Sequence, residues 1–119
     1  MGKVYGYCRT ALADEEEMKE QIRLVANYCE NNNLMVDGYF CDNGVSGFNI
    51  GEEFKQLLGE VKDGDTIVVK DIARLSRSNA KLLMMLEQFE DMGVRIVCVY
   101  GNEADTLSIT KWLEERWAR

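Results

Sequence analysis

The sequence predicts an α/β domain in which helices cover both faces of a mainly parallel four-stranded sheet, giving three layers. Short runs rich in β-branched and aromatic residues alternate with longer amphipathic segments, as in strand-helix-strand units. The chain has 119 residues, of which 46% are hydrophobic and 29% charged, and this suits one domain with a hydrophobic core. Right-handed crossovers then bring the carboxyl ends of the strands to one edge, where open α/β sheets bind ligands.

The first third of the chain contains two predicted strands and one helix. The run from Val4 is apolar and aromatic and ends at Arg9, which predicts a central strand that delivers this arginine to the sheet edge. Residues 14–32 repeat apolar side chains every three or four positions behind an acidic first turn, which predicts a helix. Residues 34–41 alternate as a second strand and lead into a turn-rich loop over residues 42–47.

The middle of the chain predicts a helix followed by the most buried strand. Residues 52–62 carry apolar side chains at helical spacing, and we expect Gly64 to supply a left-handed cap where that helix stops. Residues 66–70 form the most continuous β-branched run of the chain. Such a run indicates a strand that is covered on both faces.

The last third of the chain predicts a helix, a strand and a closing helix. Ser78 or Asn79 is suited to cap a helix that runs to Met92. Residues 94–100 form a fourth apolar strand. Residues 106–119 predict a helix with two Trp on its apolar face, which is a candidate dimerisation element.

Composition argues against several classes of protein. The chain has no His, the commonest general base and metal ligand, and its four Cys lie too far apart in sequence for zinc or redox motifs. We therefore expect no metal, and reduced Cys side chains in the core. No apolar run approaches the roughly 18 residues of a membrane span and no signal peptide is visible, so we expect a cytoplasmic protein without membrane contact.

Charge is distributed unevenly along the chain. The net charge of -7 argues against a surface that binds nucleic acid throughout. Residues 1–65 carry 6 Lys or Arg and 13 Asp or Glu, whereas residues 66–119 carry 8 of each kind. Within the second half a basic stripe has Asp71 as its only acid, and it consists of Lys70, Arg74, Arg77 and Lys81. Such a stripe is suited to meet phosphates at one place.

Polar side chains follow three of the predicted strands, at the edge where the strands end. In chain order these are Arg9, then Asp42 and Ser46, then Asp71, Arg74 and Arg77. Guanidinium groups bind phosphate oxygens in bidentate fashion and stabilise charge on a phosphoryl transition state. The sequence therefore predicts a phosphate-binding cluster, and the alternative is a solvated basic face.

Three segments, in this order and spacing, resemble the catalytic domain of the serine recombinases, the resolvase and invertase family. Residues 7–11 resemble the family's opening Tyr-x-Arg-Val-Ser segment. Residues 42–47 are similar to its Asp-x-Gly-x-Ser-Gly loop, and residues 69–77 to its strand followed by Arg-Leu-x-Arg. Gln21 lies where the family's first helix carries a recurrent glutamine.

The resemblance implies a phosphoryl transfer in which a serine hydroxyl attacks a DNA phosphate and forms a covalent phosphoserine link. The link is later passed to a different DNA hydroxyl, so no metal or other cofactor is required. The resemblance implies that Arg9 contacts the scissile phosphate. It also implies that Arg74 and Arg77 stabilise the negative charge of the transition state. It gives Ser46 and Gln21 supporting polar contacts in the pocket.

The remaining implied partners are DNA and further copies of the chain. Lys70 and Lys81 extend the expected phosphate contacts. Residues 1–105 correspond to the family's catalytic domain, and residues 106–119 to the start of the long helix that follows it. We expect a homodimer or tetramer on DNA, and the family's separate DNA-binding domain is absent from this chain.

The match fails at the nucleophile, because the family's serine falls on Ala11. We therefore expect no DNA cleavage by the chain as written. Thr10 is the adjacent hydroxyl, but a shift by one residue turns a strand side chain to the other face. Three serines are further alternatives, although none lies at a matching position: Ser46, Ser76 and Ser78.

Two further positions depart from the family pattern. The arginine that usually precedes the second helix falls near Gly51, and the acid that some members carry before Arg74 is Ala73. The first departure favours a naturally degenerate member over an engineered knockout, since a knockout needs only the serine changed.

Two other classes of protein share the alternating pattern. A receiver-like or flavodoxin-like domain is one, although a receiver needs an acidic pair after the first strand, where this chain has Arg9 and Thr10. A non-catalytic dimerisation or DNA-binding module is the other.

Overall fold

The computed structural model describes residues 2–100, which form a single four-stranded sheet with helices on both sides. The elements follow in the order β1 (Val4–Thr10), α1 (Glu15–Asn31), β2 (Gly38–Asn43), α2 (Glu52–Glu60), β3 (Thr66–Val69), a 3₁₀ turn (Ile72–Arg74), α3 (Asn79–Met92) and β4 (Arg95–Cys98). The sheet order is β2-β1-β3-β4, and all three strand pairs are parallel. The predicted fold class is confirmed.

The core has two parts, one on each face of the sheet. Alternate residues of β1 point to opposite faces, so Tyr5 and Tyr7 pack in one part and Val4 and Cys8 in the other. Helices α2 and α3 cover the Tyr5 face, and α1 covers the Cys8 face. This arrangement buries β1 completely and fixes the direction of every side chain at its end.

Helices α1 and α3 have capping residues at their ends, and Ser78 is the predicted cap of α3. Asp14 accepts a hydrogen bond of 3.1 Å from the amide of Glu17 at the start of α1, and Ser78 accepts one from the amide of Lys81 at the start of α3. Helix α3 ends at Gly93, whose φ of 75° is in the left-handed region. These caps place both helices within a residue or two of the predicted bounds.

Three predicted boundaries are wrong. Helix α2 ends at Glu60, and Gly64 lies in the following turn at φ +91° instead of capping the helix. Strand β4 is shorter than residues 94–100. Strand β2 starts at Gly38 rather than at residue 34, because its register with β1 begins at the pair Tyr5 and Gly38.

Residues 34–37 instead connect α1 to β2. Asp37 ties this connection to the start of β1, since its amide donates to the carbonyl of Val4 at 2.7 Å and its carboxylate accepts from the Val4 amide at 2.8 Å. The predicted closing helix over residues 106–119 lies outside the described residues. Within residues 2–100 no helix is long and apolar enough to cross a membrane.

Candidate phosphate-binding site

The carboxyl ends of β1, β2 and β3 meet at one edge of the sheet, as the sequence predicts. Arg9 at the end of β1 is the register partner of Asp42 in β2, and β3 ends beside Tyr7. The loop after β2 and the segment after β3 therefore lie on either side of Arg9. Together they form the candidate site.

Arg9 is the most deeply buried cation of this edge, with 2% of its surface exposed. Its guanidinium donates three hydrogen bonds to backbone carbonyls: Nη1 to Val45 at 2.8 Å, Nη2 to Ala73 at 2.6 Å and Nε to Arg74 at 3.2 Å. Burial, and then the nearby charge of Arg74, lowers the pKa of Arg9 from its ordinary value. Arg9 thus joins the loop after β2 to the 3₁₀ turn after β3.

The side chain of Gln21 in α1 forms two hydrogen bonds with the backbone of Arg9. Its Oε1 accepts from the Arg9 amide at 3.1 Å, and its Nε2 donates to the Arg9 carbonyl at 2.8 Å. The amide side chain is buried and uses a donor and an acceptor together, which a carboxylate could not do. Gln21 therefore fixes the strand end that carries Arg9.

Arg74 packs against Arg9 through a reciprocal pair of bonds. Its Nη1 donates to the Arg9 carbonyl at 2.7 Å, while its own carbonyl accepts from Arg9 Nε. Its Nε also donates to Asp71 Oδ1 at 3.2 Å, and Glu17 Oε1 lies 3.9 Å from Nη1. Two carboxylates thus offset much of the charge that Arg74 adds to the site.

Arg77 is the exposed arginine of the cluster, and its backbone is tied to the loop after β2. The Arg77 amide donates to the Gly47 carbonyl at 2.9 Å, and Ser76 Oγ donates to the same carbonyl at 3.3 Å. A Cβ on Gly47 would lie 2.4 Å from Arg77 Cγ and 2.9 Å from Arg9 Nη2. Only glycine lets this loop pass between the two arginines.

The other expected phosphate ligands lie further out. Ser46 is exposed, and its Oγ accepts from the Phe48 amide at 3.2 Å. Lys81 is also exposed and donates from Nζ to the Phe48 carbonyl at 2.9 Å. Lys70 is half-buried directly after β3. Ser46 and Lys81 therefore stabilise the loop that borders the site.

Ala11 is exposed and lies two residues beyond buried Arg9 in the chain. The adjacent hydroxyl of Thr10 is fully buried, donates to Asn43 Oδ1 at 2.5 Å and accepts from the Gly44 amide at 3.0 Å. Ser76 Oγ accepts from the amide of Ser78, whose own hydroxyl caps α3. Like Ser46 Oγ, each of these alternative hydroxyls already has a hydrogen bond within the fold.

Asp42 is a buried contributor whose role the sequence analysis missed. Its carboxylate accepts from the amides of Glu53 and Phe54 at 3.0 and 3.1 Å, and from the Tyr7 hydroxyl at 2.8 Å. Burial, and then this hydrogen bond, raises the pKa of Tyr7. A Cβ on Gly51 would come within 2.1–2.4 Å of the carboxylate atoms. The position near which the family carries arginine therefore has no room for a side chain unless Asp42 moves.

Comparison with known proteins shows the family of the chain. The sequence model of the family described as "Resolvase, N terminal domain" matches residues 4–114. The chain belongs to this family. A resolvase/recombinase of Pseudomonas putida is 30% identical over 95 residues, which cover 79% of this chain and 49% of that protein. The Tn917 resolvase of Enterococcus faecalis is 21% identical over 109 residues, covering 92% and 55%.

Solved structures of resolvase-family domains have the same fold. The N-terminal catalytic domain of TP901-1 integrase superposes with a TM-score of 0.80 at 25% identity, covering 98% of this chain and 92% of that one. A resolvase-family site-specific recombinase from Streptococcus pneumoniae gives a TM-score of 0.79 at 25% identity, covering 99% and 87%. The chain spans about half the length of the curated relatives described above.

These matches make the chain a homologue of serine-recombinase catalytic domains, as the sequence motifs predict. The receiver-like and flavodoxin-like alternatives are not favoured. Among residues 2–100 no group of three or more His, Cys, Asp or Glu side chains is arranged to hold a metal ion.

Proposed function

We propose that this resolvase-family domain binds the DNA backbone at the edge formed by Arg9, Arg74 and Arg77, and does not cleave DNA as written. One observation carries the proposal: exposed Ala11 follows buried Arg9 by two residues in the chain, and Arg9 and Arg74 hold the surrounding loops through hydrogen bonds to backbone carbonyls. A methyl group offers no electron pair for attack on phosphorus. The binding part of the site is present, and the reacting part is missing.

The three arginines have different parts in phosphate binding. Arg77 is exposed and is free to meet a phosphate first, with Lys81 beside the same loop. Arg9 uses three of the five N–H groups of a guanidinium on carbonyls, so two remain for a phosphate oxygen. Reaching them requires movement of the loop at Gly47, which lies against Nη2. Arg74 supports Arg9 and adds positive potential.

The partners follow from the family and from the charge. We propose DNA as the ligand and a homodimer or tetramer as the form that binds it, with a separate DNA-binding domain supplying site recognition. The relatives are about twice as long as this chain, which leaves room in them for such a domain. A cytoplasmic location remains a prediction, as does the assignment of residues 1–105 to the catalytic domain.

DNA affinity of matched charge variants tests the binding proposal. Fluorescence anisotropy with a short labelled duplex at low salt should show weaker binding for Arg77→Ala. The plot of log affinity against log salt should become less steep by about 0.9 when one phosphate contact is lost. Arg95→Ala is the control, because Arg95 is exposed at the opposite edge, where β4 begins. Equal losses in both variants would show that binding is not located at the proposed edge.

Restoring the hydroxyl tests the catalytic proposal. Ala11 is exposed, so Ala11→Ser introduces no steric conflict. We expect the full-length protein with this change to form a covalent adduct with nicked duplexes made from DNA flanking its gene, visible as a denaturant-resistant shift. The unchanged protein should form none. An adduct formed by the unchanged protein would show that another hydroxyl is the nucleophile.

A further inference from the structure

Two cysteines lie side by side beneath the arginine cluster. Cys8 of β1 and Cys41 of β2 are register partners in neighbouring parallel strands, and both pack in the core part under α1. Parallel strands lie about 4.8 Å apart, which is within the Cα separation of about 4.4–6.8 Å that disulfides span. All four cysteines of the chain are free thiols in this structure. Because Cys8 and Cys41 are far apart in the sequence, their spacing does not predict this pairing.

The two thiols have different surroundings. Cys8 is fully buried, whereas Cys41 is partly exposed. The neighbouring Cys8 thiol lowers the pKa of Cys41 against the opposing effects of burial, Glu53 and Asp42. The interaction with Cys41, followed by burial, raises the pKa of Cys8. Cys41 is therefore the more accessible and more readily ionised thiol, with buried Cys8 as its register partner.

We propose that Cys8 and Cys41 form an oxidation site, at which a hydroperoxide converts the two thiols into a reversible disulfide. The Cys41 thiolate attacks the terminal peroxide oxygen, breaking the O–O bond and giving a sulfenic acid and one water or alcohol. Cys8 sulfur then attacks the Cys41 sulfur, and the hydroxide that leaves takes up the Cys8 proton as water. Each sulfur loses one electron to the peroxide, whose two oxygens are reduced.

The disulfide would act on the candidate site through the chain. Cys8 immediately precedes Arg9, and Cys41 immediately precedes Asp42, which holds the start of α2. A covalent bond between the two side chains would tie β1 to β2 where both strands reach the site. Because Cys41 is partly exposed, a reductant can reach this bond. This accessibility suits a reversible modification rather than a permanent crosslink.

Thiol counting in the folded protein tests the proposal. Treatment of the folded protein with hydrogen peroxide or diamide, followed by alkylation in denaturant and intact-mass analysis, should leave two of the four cysteines unalkylated. Peptide mapping should give a Cys8–Cys41 crosslink, and dithiothreitol should restore four alkylated thiols. Cys41→Ala should abolish the crosslink, whereas Cys29→Ala, which removes a buried thiol from the same part of the core, should retain it.

Three outcomes would overturn the proposal. The first is a native protein that keeps all four thiols under oxidant while its unfolded form forms disulfides. The second is a crosslink from Cys8 to Cys29, and the third is sulfinic acid on Cys41 without any crosslink. Circular dichroism of each variant before treatment shows whether the fold is kept, and the wild-type measurement alone is decisive if a variant does not fold.

Discussion

Replacing Gly51 by Ala tests the part of the site that the sequence pattern does not reveal. Gly51 is the residue before α2, and its backbone is extended at φ -76° and ψ 159°, a conformation open to any amino acid. The obstacle is space, since the new Cβ would lie 2.1 Å from Asp42 Cγ. The Asp42 carboxylate must then leave the amides of Glu53 and Phe54.

The expected cost follows from those contacts. Two hydrogen bonds from amides to a buried carboxylate contribute about 3 kcal/mol together. Alanine restricts the unfolded chain more than glycine does and returns about 0.5–1 kcal/mol. The net loss in the free energy of unfolding is about 2 kcal/mol, which lowers the melting temperature of a domain this size by roughly 10 °C.

Urea and thermal unfolding followed by circular dichroism measure this loss. Gly59→Ala is the matched control, because Gly59 lies in the same helix and a Cβ there meets nothing within 4 Å. That change should raise stability by up to about 0.5–1 kcal/mol, the gain from replacing a glycine inside a helix, because Gly59 lies in the last turn of α2. If Gly51→Ala unfolds within about 0.5 kcal/mol of the wild type, the carboxylate does not hold α2 as described.

A double-mutant cycle separates this explanation from a general intolerance at position 51. In an Asp42→Ala background the carboxylate is gone, so adding Gly51→Ala should keep only the gain of about 0.5–1 kcal/mol. The coupling between the two changes should therefore be about 3 kcal/mol. Additive losses would assign the effect to the Gly51 backbone instead of to Asp42.

Two further predictions concern buried groups at the ends of β1 and β4. Gln21→Leu should lower the free energy of unfolding by about 2–3 kcal/mol, because it leaves the buried Arg9 amide without its acceptor. Urea titrations measure this loss, and an unchanged midpoint would contradict the role of Gln21. Burial, followed by the charge of Asp71, raises the pKa of Cys98 from 9.0 to about 11. In the unfolded chain the Cys98 thiol loses its proton near pH 9, whereas in the folded chain it keeps the proton up to about pH 11. Between these two pH values the free energy of unfolding therefore falls by about 1.4 kcal/mol per pH unit because of this thiol. Cys98→Ala should reduce the slope by that amount, and an unchanged slope would refute the assignment.

The sequence predicts positions in this domain better than it predicts bonds. Strand-end reasoning places Arg9, Arg74 and Arg77 at one edge because parallel strands share a direction. It does not predict that Arg9 donates to three backbone carbonyls. Every residue has such a carbonyl, so the sequence does not indicate which of them accept a hydrogen bond. The same limit applies to Asp42, whose partners are two amides and a hydroxyl far along the chain.

Pairing between strands accounts for the other differences. Residues 34–37 have the alternation of a strand but no ladder partner, because β1 begins at Val4. The contact of Cys8 with Cys41 likewise depends on the register of β1 with β2, which periodicity within either strand cannot give. Both features become visible only when the sheet is assembled.

The structure also explains how the proposed loss of the nucleophile is compatible with retention of the arginines. Ala11 is exposed, so a change there alters reactivity and leaves the fold intact. Arg9 and Arg74 are different, because removing either would leave buried carbonyls without donors and separate the two loops that border the site. Retention of these two arginines is thus required by folding, whether or not DNA is cleaved. The exposed guanidinium of Arg77 has no such structural role, so the presence of Arg77 gives the stronger support to the proposed phosphate binding.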